Sequence, residues 1–101
     1  MKSQDLYAGL IRLHILHHSS EGEVFGLGII RELRRHGYEI GPGTIYPMLH
    51  RMQLRGYLTS RERREGRTIR RSYRATAAGR AALADSKRKV RELFAELFEE
   101  R

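Results

Sequence analysis

The spacing of apolar residues changes character at Gly56 and changes back at Thr76. On either side of that interval apolar side chains recur three and four residues apart, the period of a helix. Inside it, residues 57–64 and 67–74 read as two strands joined by a tight turn at Glu65-Gly66. Ile69, Arg71 and Tyr73 share one face of the second strand, and Arg70, Ser72 and Arg74 share the other. A helical chain interrupted once by a hairpin has few ways to close a core, and no cysteine is present to staple it. The 101 residues fit one domain. A domain this small buries only part of its surface, so a second copy is the expected means of completing the core.

The helical segments read as follows. Residues 3–18 carry one stripe of Leu6, Leu10, Leu13 and Leu16 and another of Tyr7, Ile11 and Ile15, with Ser3 as an N-cap. Residues 18–22 form a polar loop. A second helix over 24–36 turns Ile29, Ile30 and Leu33 inward and stops at Gly37. Gly41-Pro42-Gly43 opens a third helix, 42–55, because proline at the first helical position gives up an N–H that has no partner there. Ile45, Met48, Leu49 and Met52 face inward, and Thr44, Tyr46, Pro47, His50 and Arg51 face outward. Thr76 caps a last helix over 77–100, where Leu83, Val90 and Leu97 recur every seven residues with Leu93, Phe94 and Phe98 between them.

One terminal helix has too little core of its own to cover two phenylalanines. The simplest partner is a second copy, with Leu6, Leu10, Leu83, Val90, Leu93, Phe94, Leu97 and Phe98 at the interface. The expected fold is mainly α with a small β-hairpin, in the order α-α-α-β-β-α of a winged helix-turn-helix. Residues 1–76 form the winged unit and 77–101 a C-terminal dimerisation helix, within one compact body.

Charge locates the function. Residues 50–74 hold nine arginines and two glutamates, a net +7 of the chain's formal +8. Such concentration is the footprint of a polyanion partner. In the winged-helix order the third helix is the one that enters a major groove. Gly43, Thr44, Tyr46, Pro47, His50 and Arg51 are therefore the candidate contacts from the helix. Arg61, Arg63, Arg64, Arg67, Arg70 and Arg71 are the candidates from the wing, for phosphates or a minor groove. Duplex RNA suits this helix poorly, since its major groove is too deep and narrow for side chains.

Other classes find little support. There is no cysteine nucleophile, no serine elbow and no complete phosphate-binding glycine loop, since Gly26-Leu27-Gly28 lacks the third glycine and the preceding strand. Catalysis is not expected. His14, His17 and His18 lie at helical spacings that put two imidazoles on one face, with Glu21 and Glu23 nearby. No fourth ligand is evident, so they read as ordinary polar residues, and neither metal nor cofactor is expected. No apolar stretch is long enough to span a membrane, and the N-terminus lacks a signal-peptide pattern.

The run from Tyr38 through Gly43-Thr44-Ile45-Tyr46-Pro47 to Arg51-Met52 resembles the recognition-helix signature of PadR-like transcriptional regulators. Gly56-Tyr57-Leu58-Thr59-Ser60, Gly66-Arg67, Tyr73-Arg74 and Thr76-Ala77-Ala78-Gly79 resemble that family's wing and the start of its last helix. The sequence departs from the family at Thr68, often a proline, at Arg71-Ser72-Tyr73, where one wing aromatic is missing, and at Phe25-Gly26-Leu27. The resemblance is to the short branch of the family. It implies a cytoplasmic, nucleoid-associated prokaryotic repressor, acting as a homodimer on a palindromic operator through its C-terminal helix. It also implies room for a small-molecule effector at the dimer interface, which Leu10, His14, Phe94 and Phe98 would line, although plain packing explains those residues as well.

Overall fold

A computed structural model of the chain describes residues 3–99, with side chains from Asp5 to Glu99. The element order is α1 (Ser3–Glu21), β1 (Val24–Phe25), α2 (Gly26–Arg35), α3 (Pro42–Leu54), β2 (Leu58–Glu65), β3 (Thr68–Ala75) and α4 (Ala77–Phe98). This is the expected winged helix-turn-helix order with one short strand added. Ser3 opens α1, but its proposed cap rests on a side chain outside the described set, as do Glu100 and Arg101 at the other end.

Several boundaries differ from the sequence expectation. α1 continues to Glu21, so the polar loop shrinks to Gly22 and Glu23. Val24 and Phe25 are not helical; they form β1, which pairs antiparallel with β3, Val24 opposite Tyr73 and Phe25 opposite Ser72. β3 thus becomes the central strand of a three-stranded sheet, ordered β1-β3-β2. A two-residue strand has too few side chains to show a period. The hairpin register, Glu65 opposite Thr68, shifts the turn to Gly66 and Arg67, with Gly66 at φ +62°.

The core collects one stripe from each of α1, α2 and α3, with Ala82 and Leu83 of α4 packed against it. Ile11, Ile15 and Leu16 of α1 meet Ile29, Ile30 and Leu33 of α2, Ile45, Met48, Leu49 and Met52 of α3, and Leu58 and Tyr73 of the sheet. All four inward positions expected on α3 are buried. Pro42 occupies its first turn, and the amides of Thr44 and Ile45 both donate to Gly41 O. The α2–α3 turn is pinned by Arg34, whose Nε donates to Ile40 O at 3.0 Å.

α4 is fastened at its start. The Thr76 hydroxyl accepts from Gly79 N at 3.0 Å and donates to Gly56 O at 2.6 Å, and Thr76 N donates to Tyr57 O. Gly79 packs so close to the Tyr57 carbonyl that a Cβ there would overlap backbone, which cannot swing aside. Early in α4, Ala82 and Leu83 pack against the core; farther along, Ala95 is buried while Val90, Leu93, Phe94, Leu97 and Phe98 stay exposed. Among the described residues, no helix is long and apolar enough to cross a membrane.

Candidate nucleic-acid interface

The side of α3 opposite the core presents Gly43, Tyr46, Pro47, His50 and Arg51, all exposed. Thr44 is half-buried beside them. The face holds donors, acceptors and one aromatic ring, with no carboxylate on the whole helix. Tyr46 is 39% exposed, and the far end of its ring rests against Gly26 at the start of α2. The tyrosine is thus held by a second helix rather than hanging free.

The wing divides its arginines between two faces. Register places Arg61, Arg63, Arg70 and Arg74 with Ser72 on one face, and Arg64 and Arg71 with Ile69 on the other. Arg67 sits in the turn. Several of these charges are already engaged. Arg63 Nη2 lies 3.2 Å from Glu23 Oε2, Arg71 pairs with Glu62 at 2.8 Å, and Arg70 pairs with Glu65 at 3.4 Å. Arg70 also stacks its guanidinium over the Phe25 ring, 3.9 Å from the centroid. Arg61, Arg64 and Arg67 form no ion pair among the described residues.

Glu23 is the residue that sequence reasoning undervalued. It precedes β1 and reaches the first wing face, where Ser72 Oγ donates to its Oε1 at 2.5 Å. Ser72 is itself buried and bonded to Arg61 O. The Ser72 hydrogen bond is the largest cause holding the Glu23 carboxyl below its ordinary value; burial opposes it, and Arg63, Arg74 and Arg61 add to the lowering. The acid and β1 together tie the root of the wing to the end of α1. Nothing in the sequence marks this, because the partners are 49 positions apart.

The proposed dimer seam runs along α1 and α4, and Arg51 and Arg55 of the α3 end line the same groove as Leu6, Leu10, Val90 and Leu93. Leu6, Leu10, Val90, Leu93, Phe94, Leu97 and Phe98 are all exposed, Phe98 at 70%. The Phe94 and Phe98 rings touch at a tilt, with 48° between their planes and centroids 4.9 Å apart. Leu83 differs from the others: it is half-buried against the chain's own core, because it falls where α4 still lies on α1. Two apolar grooves flank the α1–α4 contact and share Leu10 and Val90. One, about 520 Å³, includes Leu6 and Leu93; the other, about 600 Å³, includes His14, Leu83 and Phe94. Three of the four residues expected around an effector line the second groove, and Phe98 does not.

Residues 15–85 match the family described as transcriptional regulator PadR-like. The chain belongs to the PadR-like family of transcriptional regulators. It is 51% identical over 87 residues to the transcriptional regulator Rv3488 of Mycobacterium tuberculosis, covering 86% of this chain and 81% of that protein. Among solved structures it is similar to a PadR family regulator of Eggerthella lenta, with a TM-score of 0.83 and 25% identity over 96% of this chain and 86% of that one. It is also similar to Bacillus subtilis PadR in complex with operator DNA, with a TM-score of 0.67 and 25% identity over 75% of this chain and 45% of that one. Family and relatives are regulators rather than enzymes, as the sequence expects. The family match takes in α3 and the wing and stops at Asp85, before the exposed half of α4.

Proposed function

We propose that this PadR-like regulator is a homodimeric repressor of the cytoplasm that binds a palindromic operator in double-stranded DNA. α3 lies in the major groove with Gly43, Thr44, Tyr46, Pro47, His50 and Arg51 toward the duplex, and the wing lays Arg61, Arg63, Arg64, Arg67, Arg70 and Arg71 along phosphates or the minor groove. One observation carries the reading. The inner face of α3 is wholly consumed by the core, so its acid-free outer face is left for a ligand, beside a hairpin holding most of the chain's excess charge. The structure of Bacillus subtilis PadR with operator DNA supports it.

Residues 1–76 serve as the DNA-binding unit and 77–101 as the dimerisation helix. The exposed half of α4 joins Leu6 and Leu10 of α1 as the contact between copies, as its apolar surface requires. The 600 Å³ groove at this contact favours a second reading, in which a small apolar effector shares the space with the partner helix.

Anisotropy titration of a labelled genomic-fragment duplex, with duplex RNA as competitor, tests DNA binding. Tyr46→Ala and Arg51→Ala are expected to weaken binding and to relax its sequence preference. Unchanged binding by both variants, or preference for RNA, would refute the placement of α3.

A further inference from the structure

Four of the chain's five histidines gather where the end of α1 passes the end of α2. His14 lies 6.3 Å from His18 and 5.0 Å from His36, between ring centroids, and His17 lies 5.0 Å from His18. The extension of α1 to Glu21 matters here. It places Glu21 one helical turn after His17, with His17 Nε2 and Glu21 Oε1 3.6 Å apart. The ligand atoms of His17, His18 and Glu21 all lie within 4.8 Å of one another.

We propose that His17, His18 and Glu21 form a binding site for a divalent transition-metal ion of the zinc or nickel type. Ligands about 2.0–2.2 Å from a tetrahedral ion stand roughly 3.5 Å from one another. Because His17 and His18 are successive on the helix, their side chains must rotate to bring the ligand atoms from within 4.8 Å to that spacing. Two imidazole nitrogens and one carboxylate oxygen suit zinc or nickel, whereas calcium and magnesium require a shell of oxygens. His17 and Glu21 are exposed, so water completes the coordination and the ion exchanges with solution. The site stands two residues before Glu23, the acid that pairs with Arg63 of the wing. Its chemistry is independent of the DNA-binding reading.

The test is isothermal titration of zinc(II) and nickel(II) into full-length protein freed of any polyhistidine tag, with magnesium as the control. We expect one zinc or nickel per chain and no magnesium. His17→Ala, His18→Ala and Glu21→Gln should each lower affinity by about ten-fold or more, at least what an outer-shell partner costs. His14→Ala and His36→Ala should change it less than about three-fold, since both lie outside the proposed shell. Amide NMR spectra confirm that each variant is folded, and bound nickel should broaden signals around residues 17–21. No zinc or nickel binding overturns the proposal. So does one ion per two chains, or loss of binding in the His14 and His36 variants equal to that at His17 and His18.

Discussion

The tyrosine on the recognition helix depends on a glycine in another helix. A Cβ at Gly26 would overlap Tyr46 Cε1 and stand 2.6 Å from Cζ and 2.7 Å from the phenolic oxygen. Gly26→Ala must therefore push the ring off its seat. The ring is the end of a flexible side chain, so the backbone of α3 need not move. A covered tyrosine buries about 200 Å². With 39% of Tyr46 exposed, about 120 Å² is covered. Losing half of that costs about 1.5 kcal/mol at 25 cal/mol per Å². Alanine regains about 0.4–1 kcal/mol over glycine by restricting the unfolded chain. The net loss is about 0.5–1 kcal/mol, a few degrees of Tm in a domain of this size. DNA affinity should fall further, by about ten-fold or 1.4 kcal/mol, because the displaced ring loses its contact with the duplex. Urea denaturation measures the first quantity and anisotropy titration of the preferred duplex the second. If the alanine acts through the ring, the double variant with Tyr46→Ala binds no worse than Tyr46→Ala alone. Additive losses, or affinity within two-fold of wild type in Gly26→Ala, would refute the mechanism.

Three further outcomes follow from the wing and the seam. Arg64 has no ion-pair partner among the described residues, whereas Glu23 already neutralises Arg63. Arg64→Ala should weaken binding to all duplexes and flatten the log-affinity against log-salt slope by about 0.9 per chain, and Arg63→Ala should flatten it less; equal slopes in the two variants would contradict this. Phe94→Asp combined with Phe98→Asp should yield a folded monomer by light scattering, and a persistent dimer would remove the seam from α4. Glu23 titrates below its ordinary value of 4.5, so its folded value lies under its unfolded one. Its contribution to stability is present above the ordinary glutamate range and is lost as pH falls through the lowered value. Wild-type stability should therefore drop more between pH 6 and pH 3.5 than that of Glu23→Gln, as measured by urea denaturation; parallel losses would show that the carboxylate does not anchor the wing.

The helices were legible because each carries its own period and punctuation. Pro42 starts α3, Gly37 and Gly56 stop helices in left-handed conformations, and Thr76 caps α4 as expected. The inward residues of α3 follow from spacing alone. What escaped was non-local. β1 has two residues and exists only because β3 offers an unpaired edge. Glu23 reads as one more surface acid until the sheet brings Ser72 and Arg63 to it. The seat of Tyr46 on Gly26 joins two helices across the turn, a contact that no helical pattern encodes. Leu83 shares the seven-residue spacing of Val90 and Leu97, yet it falls where α4 still covers its own core. Periodicity assigns residues to a face of a helix and does not say whose surface that face meets.

The central claim is that two copies read duplex DNA symmetrically through α3. The most direct measurement is selection of the preferred duplex from a random pool at fixed salt. We expect an inverted repeat whose half-site centres lie about one helical turn apart, roughly 10 base pairs, or a multiple of it. A pool that enriches no sequence, or that enriches a single asymmetric site, would contradict it.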